Sequence, residues 1–450
     1  MNNNRKILAP DYYNKFICDG SKCEDNCCLG NWNIWVDEEH YKKLNKVNNI
    51  NIKEKIQKYI KRNRSNPSKN TYARLKQDKE LGKCAFLTEE KMCSMQLELG
   101  AEYLCDVCMI YPRYHNRINE ELEKSISVSC PLAAELILLN EKGIDIVVIE
   151  EGKSIRTSIY KSNEAIISKN NIGALKYLNE IRVFSMRLIK SREYKVWERL
   201  TILGLFVNKL DLIVKEKKAE NIPKLIENFK HLLTNGGFEE SLSQIPYQAH
   251  VQIKLLKELI DERFFRGIHS LRYMNCYTEF LVGLGYVRDE DQNMDLENIL
   301  MNYDNAFQQY YNPFMESREY ILENYLVNHI FKEVFPFSNK ETIFDNFVLM
   351  VIQYSFIKML LIGMAGYHKE NFGEQHVVKL IQSFSKVIEH SDTFKTHLIE
   401  LLKNNGFNTM AYMTLLLKQR DVSMSRCQGD GSFDNIDYIK GFLCFDGNKQ

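Results

Sequence analysis

Nine of the twelve cysteines in this 450-residue chain fall before residue 131, and four of them, Cys18, Cys23, Cys27 and Cys28, lie within eleven residues of FICDGSKCEDNCC. Sulfurs packed this densely need a common purpose, and burial of small hydrophobes does not supply one. Disulfides would be one purpose. Cys27 and Cys28 are adjacent, however, and a vicinal disulfide demands a strained ring and a distorted peptide bond. Ligation of a metal is the better expectation.

The chain as a whole points to a reducing compartment. The amino-terminal MNNNRKILAPDYYNKF lacks the apolar core of a signal peptide. The nearest approach to a membrane span, Phe347 to Met364, is interrupted by Gln353 and Lys358 and reads as a buried helix. The expectation is a cytoplasmic protein without a membrane role, and thiols in the cytosol bind metal or do redox work more often than they pair. Sixty basic residues against fifty-nine acidic ones give a net charge of +1, which offers no field to gather nucleic acid.

Spacing then narrows the chemistry. After Cys18-x4-Cys23-x3-Cys27-Cys28 come Cys84-x8-Cys93, Cys105-x2-Cys108 and Cys130. Thiolate suits zinc or iron–sulfur centres, and four sulfurs complete either one. Nine cysteines suffice for two sites, or for one with spares. Neighbouring residues on an extended chain point to opposite sides, so Cys27 and Cys28 serve two centres more easily than one.

The blocks PDYYNKFICDGSKCEDNCCLGNW (Pro10 to Trp32), KCAFL (Lys83 to Leu87), MCSMQLELGA (Met92 to Ala101), CMIYPR (Cys108 to Arg113) and SISVSCPLAAELIL (Ser125 to Leu138) together resemble the flagellin lysine N-methylase family. Fainter similarity continues through ENYLVNHIFKEVFPF (Glu323 to Phe337) and SFSKVIEHSDTF (Ser383 to Phe394), so it spans nearly the whole chain. The resemblance implies a protein-lysine N-methyltransferase that takes S-adenosylmethionine as methyl donor and flagellin as substrate. It also implies an iron–sulfur centre, a 4Fe–4S cluster or alternatively zinc, on Cys18, Cys23, Cys27, Cys28, Cys84, Cys93, Cys108 and Cys130. Cys105 departs from the family pattern and stands outside that set. If three sulfurs hold a four-iron cluster, its open iron can chelate the amino and carboxylate groups of the donor. The alternative reading is a non-catalytic zinc- or iron-binding protein or a flagellin-binding adaptor.

No residue announces itself as the base that removes a lysine proton. The only glycine pair resembling a donor-binding turn is Gly283 and Gly285 in FLVGLGYV, which lacks a third glycine. Arg113, just after Cys108 and Pro112, is the candidate cofactor-binding residue, either gripping a carboxylate or offsetting thiolate charge. His115, His329 and His390 are candidate proton acceptors or satisfied structural residues, and Trp32 and Trp35 are expected to shield the metal. The basic stretch from Asn51 to Glu80 reads as a solvated helix and loop.

Beyond the cysteines the pattern turns helical. Leu178, Ile181, Phe184 and Leu188, then Leu200, Leu203, Val207, Leu210 and Val214, recur at helical spacing. The expected fold is all-α: a cysteine-rich metal-binding domain over 1–140, a multi-helix domain over 141–420 and a polar tail over 421–450. A short β-hairpin within Gly143 to Tyr160 is expected to link the first two.

Overall fold

In a computed structural model of the chain, the structure describes residues 4–18, 20–29, 34–77, 83–118, 121–152, 161–162, 173–268, 270–286, 296–338 and 342–420. Trp32, the 421–450 tail and the 153–160 half of the expected hairpin lie outside them. Two compact units divide the chain. One comprises Met1–Leu136, Ile146–Lys161 and His269–Arg272, and the other comprises Ile137–Asp145, Ser162–Ile268 and Tyr273–Gln450.

The first unit overturns the all-α expectation: the protein is mixed α/β, with the described strands all lying between Asn4 and Ser162. The described strands are β1 (Asn4–Pro10), β2 (Ile34–Val36), β3 (Ile60–Arg62), β4 (Ala73–Leu75), β5 (Arg113–Ile118), β6 (Glu121–Ile126), β7 (Ile146–Gly152) and β8 (Lys161–Ser162). They form one sheet in the order β7-β1-β6-β5-β8 and a second in the order β2-β4-β3.

Two physical causes hid these strands. β2, β3 and β4 are three residues long, too short to show alternation. β6 reads ELEKSI, yet it buries Glu123 and Lys124, the latter paired with Glu151 of β7. A buried ion pair erases the apolar signature a strand otherwise carries.

The expected local hairpin is also corrected. β7 pairs antiparallel with β1 along its whole length, from Asn4 opposite Gly152 to Pro10 opposite Ile146. A partner that distant in the chain leaves no local trace in the sequence. β1 in turn runs parallel to β6, and β5 antiparallel to it. The basic stretch forms the helix Ile50–Tyr59 and the strands β3 and β4, with Arg62 stacked on Tyr72 and Arg74 on Trp35. Trp35 is itself exposed and lies on β2 against Arg74, so its contacts are with that sheet.

Apart from Ser162 at the end of β8, the regular elements described in the second unit are helices. The two stripes read from the sequence lie on the helices Leu178–Ile189 and Val196–Lys215, and every residue of both stripes is buried. At the centre runs the helix Ile343–His368, long and apolar enough to cross a membrane by composition, yet buried here from Ile343 to Ala365. Its one lysine, Lys358, is tolerated because burial draws the ammonium down to about 7, with Glu319 partly opposing the shift.

Glycines explain how tightly that helix is gripped. The helix Leu271–Leu284 crosses it so closely that a Cβ on Gly283 would lie 1.9 Å from the Gly363 carbonyl oxygen. Gly285 ends the same helix at φ 79°. Packing and capping therefore account for the GxG pair, and no donor-binding turn is needed. We expect Gly283→Ala to cost about 3 kcal/mol in urea unfolding; an unchanged midpoint would contradict this crossing.

Candidate functional site

Short elements of the first unit gather the cysteines. A turn at Asn26 is held by its side chain, which donates to the Lys91 carbonyl (2.8 Å) and accepts from the Cys28 N–H (2.8 Å). The Cys84 N–H donates to the Cys28 carbonyl at 2.9 Å, and Ser94 N–H to Phe86 at 2.7 Å. These bonds stitch the segments bearing Cys27–Cys28, Cys84 and Cys93 into one backbone frame. Cys93 and Cys105 precede the helices Ser94–Leu99 and Asp106–Ile110, and Cys130 precedes Pro131–Leu138.

The thiols fall into two neighbourhoods. The Cys28 thiol hydrogen-bonds with those of Cys27 and Cys84, and Cys93 feels the charges of Cys84 and Cys27. Cys108 joins this group through a hydrogen bond with Cys105 and through the charges of Cys84 and Cys93. In the second neighbourhood Cys130 feels Cys23 and Cys18, and Cys23 feels Cys27 and Cys18. Cys27 thus faces both groups. Sequence reasoning set Cys105 apart from the ligands, whereas the structure joins it to Cys108 and buries it in the core of this unit.

The thiols perturb one another's ionisation. Cys84 is drawn down to about 7 by its hydrogen bond with Cys28, while Cys28 itself is pushed far up by Cys27 and Cys84. Burial pushes Cys130 up to about 11 against the N–H groups of Ala133 and Leu132 that point at its sulfur. Cys93 likewise sits raised by burial and opposed by the N–H groups of Gln96 and Met95. Crowded thiols that resist ionising together, with N–H donors aimed at them, are the chemistry a cation resolves by taking the protons' place. The donor set therefore fits a sulfur-ligated centre.

Tightness speaks to which kind. Among the described residues, the group of three ligand atoms all within 4.8 Å of one another is Asp37, His40 and Asp106, and no trio of sulfurs meets that limit. A tetrahedral zinc site with bonds of about 2.3 Å holds its sulfurs about 3.8 Å apart. Among the described residues the thiols therefore do not present a preformed tetrahedral site.

The remaining candidates separate. Arg113 stacks over the Phe16 ring at 5.0 Å and donates to the Phe16 carbonyl at 3.4 Å, two residues before Cys18, so it braces the cysteine segment. His115 lies on β5 opposite Lys124, drawn down to about 4 by burial and by that lysine.

His329 and His390 belong to a buried polar cluster in the helical unit that the sequence reading did not assemble. Glu389 accepts from Tyr325 Oη (2.7 Å), Ser385 Oγ (2.9 Å) and Lys332 Nζ (3.2 Å), and Lys332 also pairs with Glu333 at 2.8 Å. Burial alone would raise the Glu389 carboxyl, but Lys332 beside it and these hydrogen bonds pull it to about 2. Burial draws His390 down to about 4 and lowers His329 too, so both imidazoles are neutral at pH 7, as proton acceptors must be. Glu389 closes a π-helical turn, Ser385–Glu389. The available signal was that these residues sit within the two faint family-like blocks.

Comparison with known proteins covers both units. The profile of the FliB lysine N-methylase C-terminal domain matches residues 182–416. The Lysine-N-methylase of Salmonella typhimurium strain LT2 is 24% identical over 398 residues, covering 86% of this chain and 92% of that protein. The Flagellar biosynthetic protein FliU of Salmonella muenchen is 33% identical over 135 residues, 29% of this chain and 76% of that protein. No solved structure matches.

Proposed function

The chain belongs to the FliB lysine N-methylase family, and on that premise we propose that it methylates lysine side chains of flagellin in the cytoplasm, with S-adenosylmethionine as donor. The observation that carries this reading is similarity along 86% of the chain to a protein named as a lysine N-methylase, which takes in the cysteine-rich unit as well as the helical one. The flagellar name of the shorter relative supports flagellin as the substrate.

The chemistry sets three requirements. A lysine ammonium, which in a free peptide titrates at about pH 10.4, must shed its proton before its nitrogen has a lone pair to offer. That lone pair forms the new N–CH3 bond while the C–S bond breaks and its electrons leave with the sulfur as a thioether. Nitrogen, methyl carbon and sulfur must also be aligned at about 3–3.5 Å in a site that excludes water.

On this reading Cys28, Cys84, Cys93 and Cys108 would hold one sulfur-ligated centre, with Cys18, Cys23, Cys27 and Cys130 available to a second. When bound, an iron–sulfur cluster with an open iron supplies a chelating position for an amino acid's amine and carboxylate. The N–H groups at Cys93 and Cys130 steady the thiolates, and Arg113 braces the chain leading into Cys18.

The test is anaerobic incubation of the purified protein with recombinant flagellin and methyl-labelled S-adenosylmethionine, followed by mass spectrometry of flagellin peptides. Labelled methyl groups on lysines are the expected result. Metal-replete protein that binds flagellin and transfers nothing would favour the adaptor reading instead.

A further inference from the structure

Three hydroxyls line up between the segments that carry Cys108 and Cys130. Tyr111 caps the end of the helix Asp106–Ile110, three residues after Cys108, and Ser127 and Ser129 lie on the stretch that runs from β6 into Cys130. The Ser127 N–H donates to the Pro112 carbonyl at 2.8 Å and holds the two segments side by side. We propose that Tyr111 is a positioning residue of the sulfur-ligated centre, its hydroxyl donating to the ligand sulfurs of Cys130 and Cys27 at the end of a chain that begins at Ser127. The inference rests on the sulfur-centre reading above and adds the residue that tempers the charge on those sulfurs.

The direction of the chain follows from its protons. Ser127 Oγ lies 2.9 Å from Ser129 Oγ, which lies 3.1 Å from Tyr111 Oη. Three hydroxyls bring three protons, and the two contacts between them use two, so the third must leave at an end. Ser127 is fully buried, its oxygen already accepts the Ser129 N–H at 3.2 Å, and among the described residues Ser129 Oγ is the one acceptor within its reach. A leftover proton at Ser127 would be a buried donor with nowhere to go. Ser127 therefore donates to Ser129, Ser129 donates to Tyr111, and the free proton is the phenol's.

What faces that proton is sulfur. The charges that act on the Tyr111 hydroxyl are those of Cys130, Cys27 and Asp25, with Cys130 the strongest of the three and Asp25 the weakest. A hydroxyl polarised by two others behind it is a stronger donor than one alone. Cys130 and Cys27 belong to the second thiol neighbourhood, and Cys27 faces the first as well, so a single phenol stands where the two groups meet. A hydrogen bond to a ligand sulfur draws charge off it, which favours the reduced, more negative state of an iron–sulfur centre.

The test is Tyr111→Phe in the full-length protein, loaded with iron and sulfide under anaerobic conditions and read by metal content and by a spectroelectrochemical titration. Phenylalanine keeps the ring and removes only the hydroxyl. Iron and acid-labile sulfide should match the wild type, because no ligand is lost. The one-electron reduction equilibrium should shift about tenfold toward the oxidised form, a midpoint about 59 mV lower. Ser127→Ala should move the midpoint the same way by a smaller step, since it takes away only the hydroxyl that polarises the chain. A Tyr111→Phe protein with full iron and an unmoved midpoint would overturn the proposal, as would one that loads no iron beside a loaded wild type, which would make Tyr111 part of the fold or of the ligand set. Either result leaves the sulfur-ligated centre standing, whereas a wild type that takes up no iron refutes that reading and this proposal with it.

Discussion

On the proposed reading, Cys28→Ser and Cys84→Ser should each lose the iron and acid-labile sulfide of the sulfur-ligated centre and lower methyl transfer to flagellin on the order of 100-fold. These two thiols are the hub of the larger sulfur neighbourhood: Cys28 hydrogen-bonds with Cys27 and Cys84, and Cys84 acts in turn on Cys93 and Cys108. Serine keeps the shape but offers a hard oxygen that does not ionise near neutral pH, so a soft metal loses a ligand. Cys276→Ser is the matched control. Cys276 is fully buried in the helix Leu271–Leu284, 4.0 Å from Ser383 Oγ, and belongs to neither neighbourhood. Metal content and activity should survive there. If Cys28→Ser retained its iron and its activity while circular dichroism showed an intact fold, the sulfur-ligated centre would have to be abandoned.

Glu323→Ala is expected to destabilise the helical unit by about 3–5 kcal/mol, seen as a shift of the denaturant midpoint. Glu323 is 1% exposed and accepts from Arg199 Nη1 at 2.8 Å, Arg192 Nη2 at 2.9 Å and Arg192 Nε at 3.0 Å. Arg199 is itself 3% exposed and would keep, besides the Tyr194 and Ile189 carbonyls, only Glu319 at 3.8 Å, so removing the Glu323 carboxylate leaves a buried guanidinium poorly compensated. Arg192 also donates to the Glu141 carbonyl at 3.0 Å, which ties the 137–145 segment to the same anchor. Replacing Glu323 and Arg199 together by apolar residues should recover much of the loss, because the cost lies in the orphaned charge and not in the missing attraction. A single substitution costing under about 1 kcal/mol would mean that water reaches the site.

The helical half was legible because its signal is local. Leu200, Leu203, Val207, Leu210 and Val214 repeat with the period of the helix they form, and all are buried. The strands were not legible, because some are three residues long, β6 buries an ion pair in place of apolar residues, and the larger sheet is closed by a distant partner, β7 against β1. Gly283 shows the same limit in miniature. In the sequence it belongs to a suggestive GxG, and only the neighbouring helix at Gly363 reveals that it is there to let two backbones meet.

Residue type and spacing alone gave the expectation that the amino-terminal cysteines act together and that the vicinal pair faces two ways, since soft thiols at such density have few other uses. Tertiary structure decided which sulfur faces which. Cys27 meets both neighbourhoods, Cys105 joins Cys108, and N–H groups at helix starts aim at Cys93 and Cys130. It also decided that His329 and His390 come together with the buried Tyr325, Lys332, Ser385 and Glu389. The reason is distance. Chemistry written within one turn or a few residues can be read from the chain, whereas contacts between groups scores of residues apart exist only once folding has closed the loops between them.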